Sequence, residues 1–160
     1  MIIIKRLLQP LIERRLFQGK IIVLYGARQV GKTTLAKSLM EKFKEESLYL
    51  NCELLSVRDR LSVPEAINLK SYFGHSRLIV LDEAQKIPHV GTILKILVDT
   101  YPEIQIIATG SSSINLLDKT QEPLTGRKII FKLYPLSLGE LYPAKDLLKI
   151  SKASVKLPSR

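Results

Sequence analysis

Five apolar or aromatic residues, Ile21-Ile22-Val23-Leu24-Tyr25, lead straight into Gly26-Ala27-Arg28-Gln29-Val30-Gly31-Lys32-Thr33, and a helical pattern follows. The loop fits G-x-x-x-x-G-K-[ST], the phosphate-binding P-loop. A strand must deliver such a loop and a helix N-terminus must receive the phosphates. All three parts are present in order. Gly26 and Gly31 permit backbone angles that a Cβ would forbid, so successive N–H groups can converge on an anion. Lys32 is placed to reach the β- and γ-phosphates, and the Thr33 hydroxyl to hold Mg²⁺. The expected nucleotide-binding set is therefore Gly26, Ala27, Arg28, Gln29, Val30, Gly31, Lys32, Thr33 and Thr34.

Composition narrows the setting. A chain of 160 residues is long enough for one domain with a buried core. With 46% hydrophobic and 25% charged residues it belongs among globular rather than disordered chains. No apolar run approaches the roughly 20 residues that span a bilayer. The charges of Lys5 and Arg6 follow the apolar N-terminal residues, so the start does not read as a secretory signal. A single cysteine, Cys52, forms no internal disulfide, and a reduced, cytoplasmic setting is expected. The net charge of +10 is uneven: residues 1–20 carry five Lys/Arg against one acid, and residues 127–160 carry eight against two. Basic ends predict at most weak, salt-sensitive contact with nucleic acid, because the aromatic interleaving of single-strand binders is lacking.

The remaining pattern alternates strands and helices. Leu7, Leu8, Leu11, Ile12 and Leu16 predict a helix over 7–17 with Pro10 in its first turn. A strand is expected at 20–25. Leu35, Leu39 and Phe43 predict one helix over 32–46. Further strands are expected at 47–51, 77–82, 104–109 and 127–133. Helices are expected from Pro64 to about residue 73, over 90–100 and, in brief, over 113–119. Continuously apolar strands between helices predict a five-stranded parallel sheet covered on both faces, the α/β three-layer sandwich of P-loop NTPases.

The second half of a site follows from that sheet. Open parallel sheets place ligands at the C-terminal ends of their strands. Asp82 ends the third predicted strand and is positioned as a Walker B carboxylate for Mg²⁺; Glu83, one residue on, can orient a water for attack on the γ-phosphate. Thr109, then Ser111, are the choices to sense that phosphate from the next strand; Ser111, Ser112 and Ser113 can equally cap a helix. Arg28 and Arg127 are candidates to offset transition-state charge. Arg14, Arg15 and Leu16 precede the loop and could border an adenine, without an assigned role. His75 and His89 read as surface loop residues.

Gly26–Thr34, Val-Leu-Asp-Glu-Ala-Gln-Lys-Ile-Pro (80–88), Ala-Thr-Gly-Ser-Ser-Ser (108–113), Leu-Thr-Gly-Arg (124–127) and Tyr-Pro-Leu-Ser (134–137) occur in this order. Over about residues 4–142 the chain resembles the AAA-like P-loop ATPases of bacteria and archaea that carry a C-terminal domain of unknown function. The resemblance implies an AAA-type core, ATP with Mg²⁺ and the roles given to Lys32, Thr33, Asp82 and Glu83. It also raises Arg127, because the Gly-Arg pair is a family feature. Two departures stand out. The chain stops soon after the Pro-Leu-Ser segment, so residues 1–142 are expected to be the ATPase domain and 143–160 a basic remnant of a link to a further domain. Asn51-Cys52-Glu53 stands where the family often has Asp.

The expected activity is Mg²⁺-dependent ATP binding and hydrolysis, with Lys32, Glu83, Thr109 and Arg127 as the catalytic set. A neighbouring copy or another protein can supply the arginine. Two alternatives stay open: a nucleotide switch with little turnover, and a small-molecule kinase. The adjacent Asp82-Glu83 pair and the lack of an Arg-bearing lid insert argue against the kinase.

Overall fold

The computed structural model describes residues 4–63, 65–111 and 124–142. The apolar run before the loop forms β1 (Ile21–Tyr25) and the segment after it forms α2 (Lys32–Met40). Ahead of them lies α1 (Gln9–Glu13), with Pro10 in its first turn. The sheet is completed by β2 (Ser47–Asn51), β3 (Leu78–Asp82), β4 (Gln105–Gly110) and β5 (Lys128–Lys132). Strand order is β2-β3-β4-β1-β5, and every pairing is parallel. β4 is thus inserted between β1 and β3. All the strands end at one edge, and Gly26, Asp82 and Gly110 meet there.

Burial accounts for the apolar strands. On one face Ile21, Val23, Ile79, Leu81, Ile106 and Ala108 pack against α3 (Leu55–Leu61), α4 (Ala66–Phe73) and α5 (Val90–Thr100). On the other, Ile22, Leu24, Leu78, Val80 and Ile107 pack against α1 and α2 through Ile12, Leu35, Ala36 and Leu39. Alternate residues of one strand therefore serve two cores, as the two-residue strand period requires.

Several boundaries differ from expectation. The first helix stops at Glu13 and turns carry the chain onward to Phe17, whose φ of 58° lies in the left-handed region. The helix predicted over 32–46 is α-helical only to Met40; residues Glu41–Glu46 are 3₁₀, with a kink at Phe43 (φ −129°, ψ 32°). That break turns the chain toward β2. Helix α3 was not expected; Val57 and Leu61, four apart, are its buried face. A last helix, α6 (Leu138–Leu141), is closed by a reciprocal capping box between Ser137 and Glu140. The predicted helix over 113–119, Pro64 and the tail 143–160 lie outside the described residues.

Candidate functional site

Two glycines make the loop possible. A Cβ on Gly26 would sit 2.2 Å from the Leu133 carbonyl oxygen, so only glycine lets β1 turn beside the end of β5. Gly31 has φ 94° and is the N-cap of α2. Without a side-chain cap there, the first N–H groups of α2 remain available to an anion. Gln29 also adopts a left-handed φ, 63°.

The Lys32 side chain is folded under this loop. Its Nζ donates to the Gly26 carbonyl (3.1 Å) and the Ala27 carbonyl (2.7 Å). Burial pushes its pKa down, while the Glu83 and Asp82 carboxylates push the other way. Thr33 Oγ1 lies 2.8 Å and 3.1 Å from the two Asp82 carboxylate oxygens. Those oxygens receive two further hydroxyls: Tyr49 Oη donates to Oδ2 at 2.6 Å, and Thr109 Oγ1 donates to Oδ1. Burial, then the hydrogen bond to Asp82, raises the Tyr49 pKa, so its phenol remains a donor. Asp82 is 6% exposed and its charge is met by hydroxyl groups from both neighbouring strands and from α2.

Glu83 follows with φ 56°, a conformation that costs a non-glycine residue about 1–2 kcal/mol. Its N–H donates to Thr109 Oγ1 at 3.1 Å. Its carboxylate accepts from Gln85 Nε2, which also lies 3.3 Å from Ser111 Oγ. Gln85 stands in the 80–88 motif but had no role assigned to it. The signal was its place two residues after Glu83 and beside Ala84, which is fully buried.

A polar cleft of about 980 Å³ opens over these groups, lined among others by Lys32, Thr33, Glu53, Asp82, Glu83 and Ser111. A second, mainly apolar cavity of about 480 Å³ adjoins the other side of the loop, with Ile4, Val30, Leu35, Pro135 and Leu136 in its wall. Arg28, Gln29, Gly31 and Thr34 line both. Arg6 closes the apolar side: its guanidinium donates to the Val30 carbonyl (2.7 Å), the Tyr134 carbonyl (2.6 Å) and Glu140 Oε1 (2.9 Å).

The sequence-predicted residues thus divide. Lys32, Thr33, Thr34, Asp82 and Glu83 converge with the loop. Thr109 is fully buried and its hydroxyl is committed to Asp82 and Glu83, so it does not line the cleft; Ser111 does. Arg127 is not part of this chain's own site. It precedes β5, its carbonyl accepts from the Ile21 N–H, and its guanidinium pairs with Asp99 at 2.6 Å. That is the opposite edge of a parallel sheet, a strand's length, roughly 16 Å, from the loop. Arg14, Arg15 and Leu16 line neither cavity beside the loop.

Thr33 and Asp82 offer hard oxygen donors beside a phosphate-binding loop, and among the described residues no group of three or more His, Cys, Asp or Glu gathers as a metal cage. That donor set fits Mg²⁺, which keeps most of its waters and takes few protein ligands. Among the described residues no helix is long and apolar enough to cross a membrane.

A family model described as an AAA domain matches residues 18–142. An uncharacterized protein of Mycobacterium tuberculosis is 32% identical over 131 residues, covering 81% of this chain and 28% of that protein. The replication factor C large subunit of Sulfolobus acidocaldarius is 32% identical over 141 residues, covering 82% of this chain and 30% of that one. The chain therefore spans under a third of the length of these relatives. Among solved structures, one chain in the structure of Drosophila ORC bound to AT-rich DNA and Cdc6 superposes with a TM-score of 0.59 at 16% identity, covering 95% of this chain and 62% of the other. That likeness concerns the fold, an α/β P-loop NTPase.

Proposed function

The chain belongs to the AAA domain family, and on that premise we propose that it binds ATP with Mg²⁺ and hydrolyses it to ADP and phosphate. The observation that carries this reading is the meeting of Thr33 with Asp82, and of both with Glu83, on the floor of the polar cleft beside the α2 N-terminus. The loop amides and Lys32 would hold the phosphates, Lys32 exchanging the carbonyls of Gly26 and Ala27 for phosphate oxygens. Thr33 and Asp82 would hold Mg²⁺, whose charge, when bound, offsets that of the β- and γ-phosphates. Glu83 would orient and polarise the attacking water. Ser111 replaces Thr109 as the hydroxyl facing the γ-phosphate, while Thr109 fixes Asp82 and Glu83. The apolar cavity is the place for the base. Arg28 is the arginine this chain brings to the cleft; Arg127 could reach only the site of a second copy. Residues 1–142 form the ATPase domain, with weak, salt-sensitive nucleic-acid contact at the basic ends.

A switch with little turnover has one observation in its favour: Gln85 already engages the Glu83 carboxylate. Glu83→Gln decides between the two. Its phosphate release should fall about 10²-fold while ATP affinity by calorimetry stays near wild type. Equal release rates in both proteins would sink the hydrolytic reading.

A further inference from the structure

Asp82 is held from three sides, and one of them lies outside every motif. Tyr49 pairs in register with Val80, and Val80 and Asp82 share a face of β3 because side chains alternate along a strand. Tyr49 therefore stands on the α2 side of the sheet, two positions below Asp82, and its phenol spans that gap to reach Oδ2 at 2.6 Å. The ring is fixed in turn, with Lys37 Nζ of α2 4.5 Å from its centroid. On the other flank Thr109 of β4 holds Oδ1.

The two neighbouring strands thus grip one carboxylate from opposite sides and leave it facing Thr33. The Thr33 hydroxyl has a single proton, and directing it at Asp82 leaves the oxygen lone pairs free for a cation. A carboxylate free to rotate would have to be ordered when the cation binds. One ordered beforehand does not bear that cost.

We infer that Tyr49 is a positioning residue for the metal side of the site: its hydroxyl pre-orders Asp82 so that Thr33 and Asp82 together accept a divalent cation. This inference rests on the Mg²⁺–ATP reading, and it assigns Tyr49 no contact with nucleotide. Mn²⁺ serves as the probe, because free Mn²⁺ is counted directly by its paramagnetic signal. In the full chain, Tyr49→Phe keeps the ring under Lys37 and removes only the donor. Its Mn²⁺ affinity with ADP present should fall about 10- to 100-fold, the range expected for one lost hydrogen bond to a charged group. ADP affinity in EDTA should stay at the wild-type value. The Mg²⁺ concentration for half-maximal turnover should rise by the same factor as the Mn²⁺ constant.

Unchanged Mn²⁺ affinity in Tyr49→Phe overturns the inference. So does an equal loss of ADP affinity with and without metal, which would mark Tyr49 as a packing residue. Tyr49→Leu, which also removes the ring, separates the two: a merely structural ring predicts a large loss for Leu and none for Phe. Wild-type protein that takes up no Mn²⁺ with ADP overturns the Mg²⁺–ATP reading itself, and that outcome is visible before any variant is made.

Discussion

The two cavities that share the P-loop are built on different plans. The polar cleft draws on Lys32 and Thr33 at the start of α2 and on Asp82 and Glu83 at the end of β3, two short runs of adjacent residues. The apolar cavity draws its walls from residues 4–9, the loop, α2 and residues 135–136, held by an Arg6–Glu140 pair 134 positions apart. Chemistry in this fold is concentrated in contiguous motifs, because the loop and the strand end are each produced by local backbone geometry. The neighbouring wall depends on tertiary closure.

The sharpest way to break that contrast is Lys32→Ala. Removing the cleft's buried ammonium should weaken ATP binding by about 10–100-fold, measured with a fluorescent nucleotide analogue, while thermal stability changes little. If stability fell and affinity did not, Lys32 would be a prop for the carbonyls of Gly26 and Ala27 alone.

The opposite pattern is expected from Arg6→Ala. Arg6 and Glu140 are 9% and 6% exposed at their side chains, and breaking the pair leaves Glu140 inadequately matched. A loss of about 2 kcal/mol in denaturant unfolding is expected, with the metal side of the site intact. A protein that lost Mn²⁺ binding in proportion to stability would show that the two cavities are one unit.

Titration of Glu140 sharpens the same point. Burial alone would raise its pKa, but the Ser137 N–H, the Arg6 guanidinium and the Leu7 N–H outweigh it and hold the carboxyl at about 2, below its ordinary 4.5. A depressed folded value stabilises the protein above pH 4.5, and that stability is lost as pH falls toward 2. Glu140→Gln should flatten the stability curve across that window in acid unfolding experiments. A curve as steep as wild type would assign the acid sensitivity to other carboxylates.

Arg127→Ala should have the smallest effect. It opens an exposed pair with Asp99 on the far edge of the sheet, so ATP affinity should not change measurably. A loss of turnover that mixing with a Glu83→Gln protein restores would place Arg127 in a neighbour's site.

Much of this was legible in the sequence because it is local. Strand, glycine loop and helix were adjacent, and Asp82-Glu83 closed an apolar strand. Thr109 was legible as a position but not as a role: whether a strand-end hydroxyl faces the cleft or its neighbour depends on the register of β3 with β4. Tyr49 was hidden for the same reason, since its link to Asp82 exists only once β2 and β3 pair. The α3 helix was obscured by Leu54 and Leu55, which are exposed and blur the spacing of Val57 and Leu61. The break at Phe43 was masked because Leu35, Leu39 and Phe43 continue a helical period that the backbone abandons. Arg127 was legible as a strand-start residue, but not the copy whose site it could reach: a residue at a strand's start and a motif at a strand's end lie on opposite edges of a parallel sheet.

The alternation along β3 has a consequence for how this strand can change in length. Val80 and Asp82 look toward α2, whereas Ile79 and Leu81 look toward α5. One residue inserted or deleted between Leu78 and Asp82 would exchange the two sets, sending a carboxylate into an apolar core and a leucine toward Thr33. Only changes in pairs keep the parity, and a pair would carry Asp82 past the reach of Tyr49 and Thr109. β3 is therefore a ruler as well as a wall: its count of residues is set by chemistry at its end.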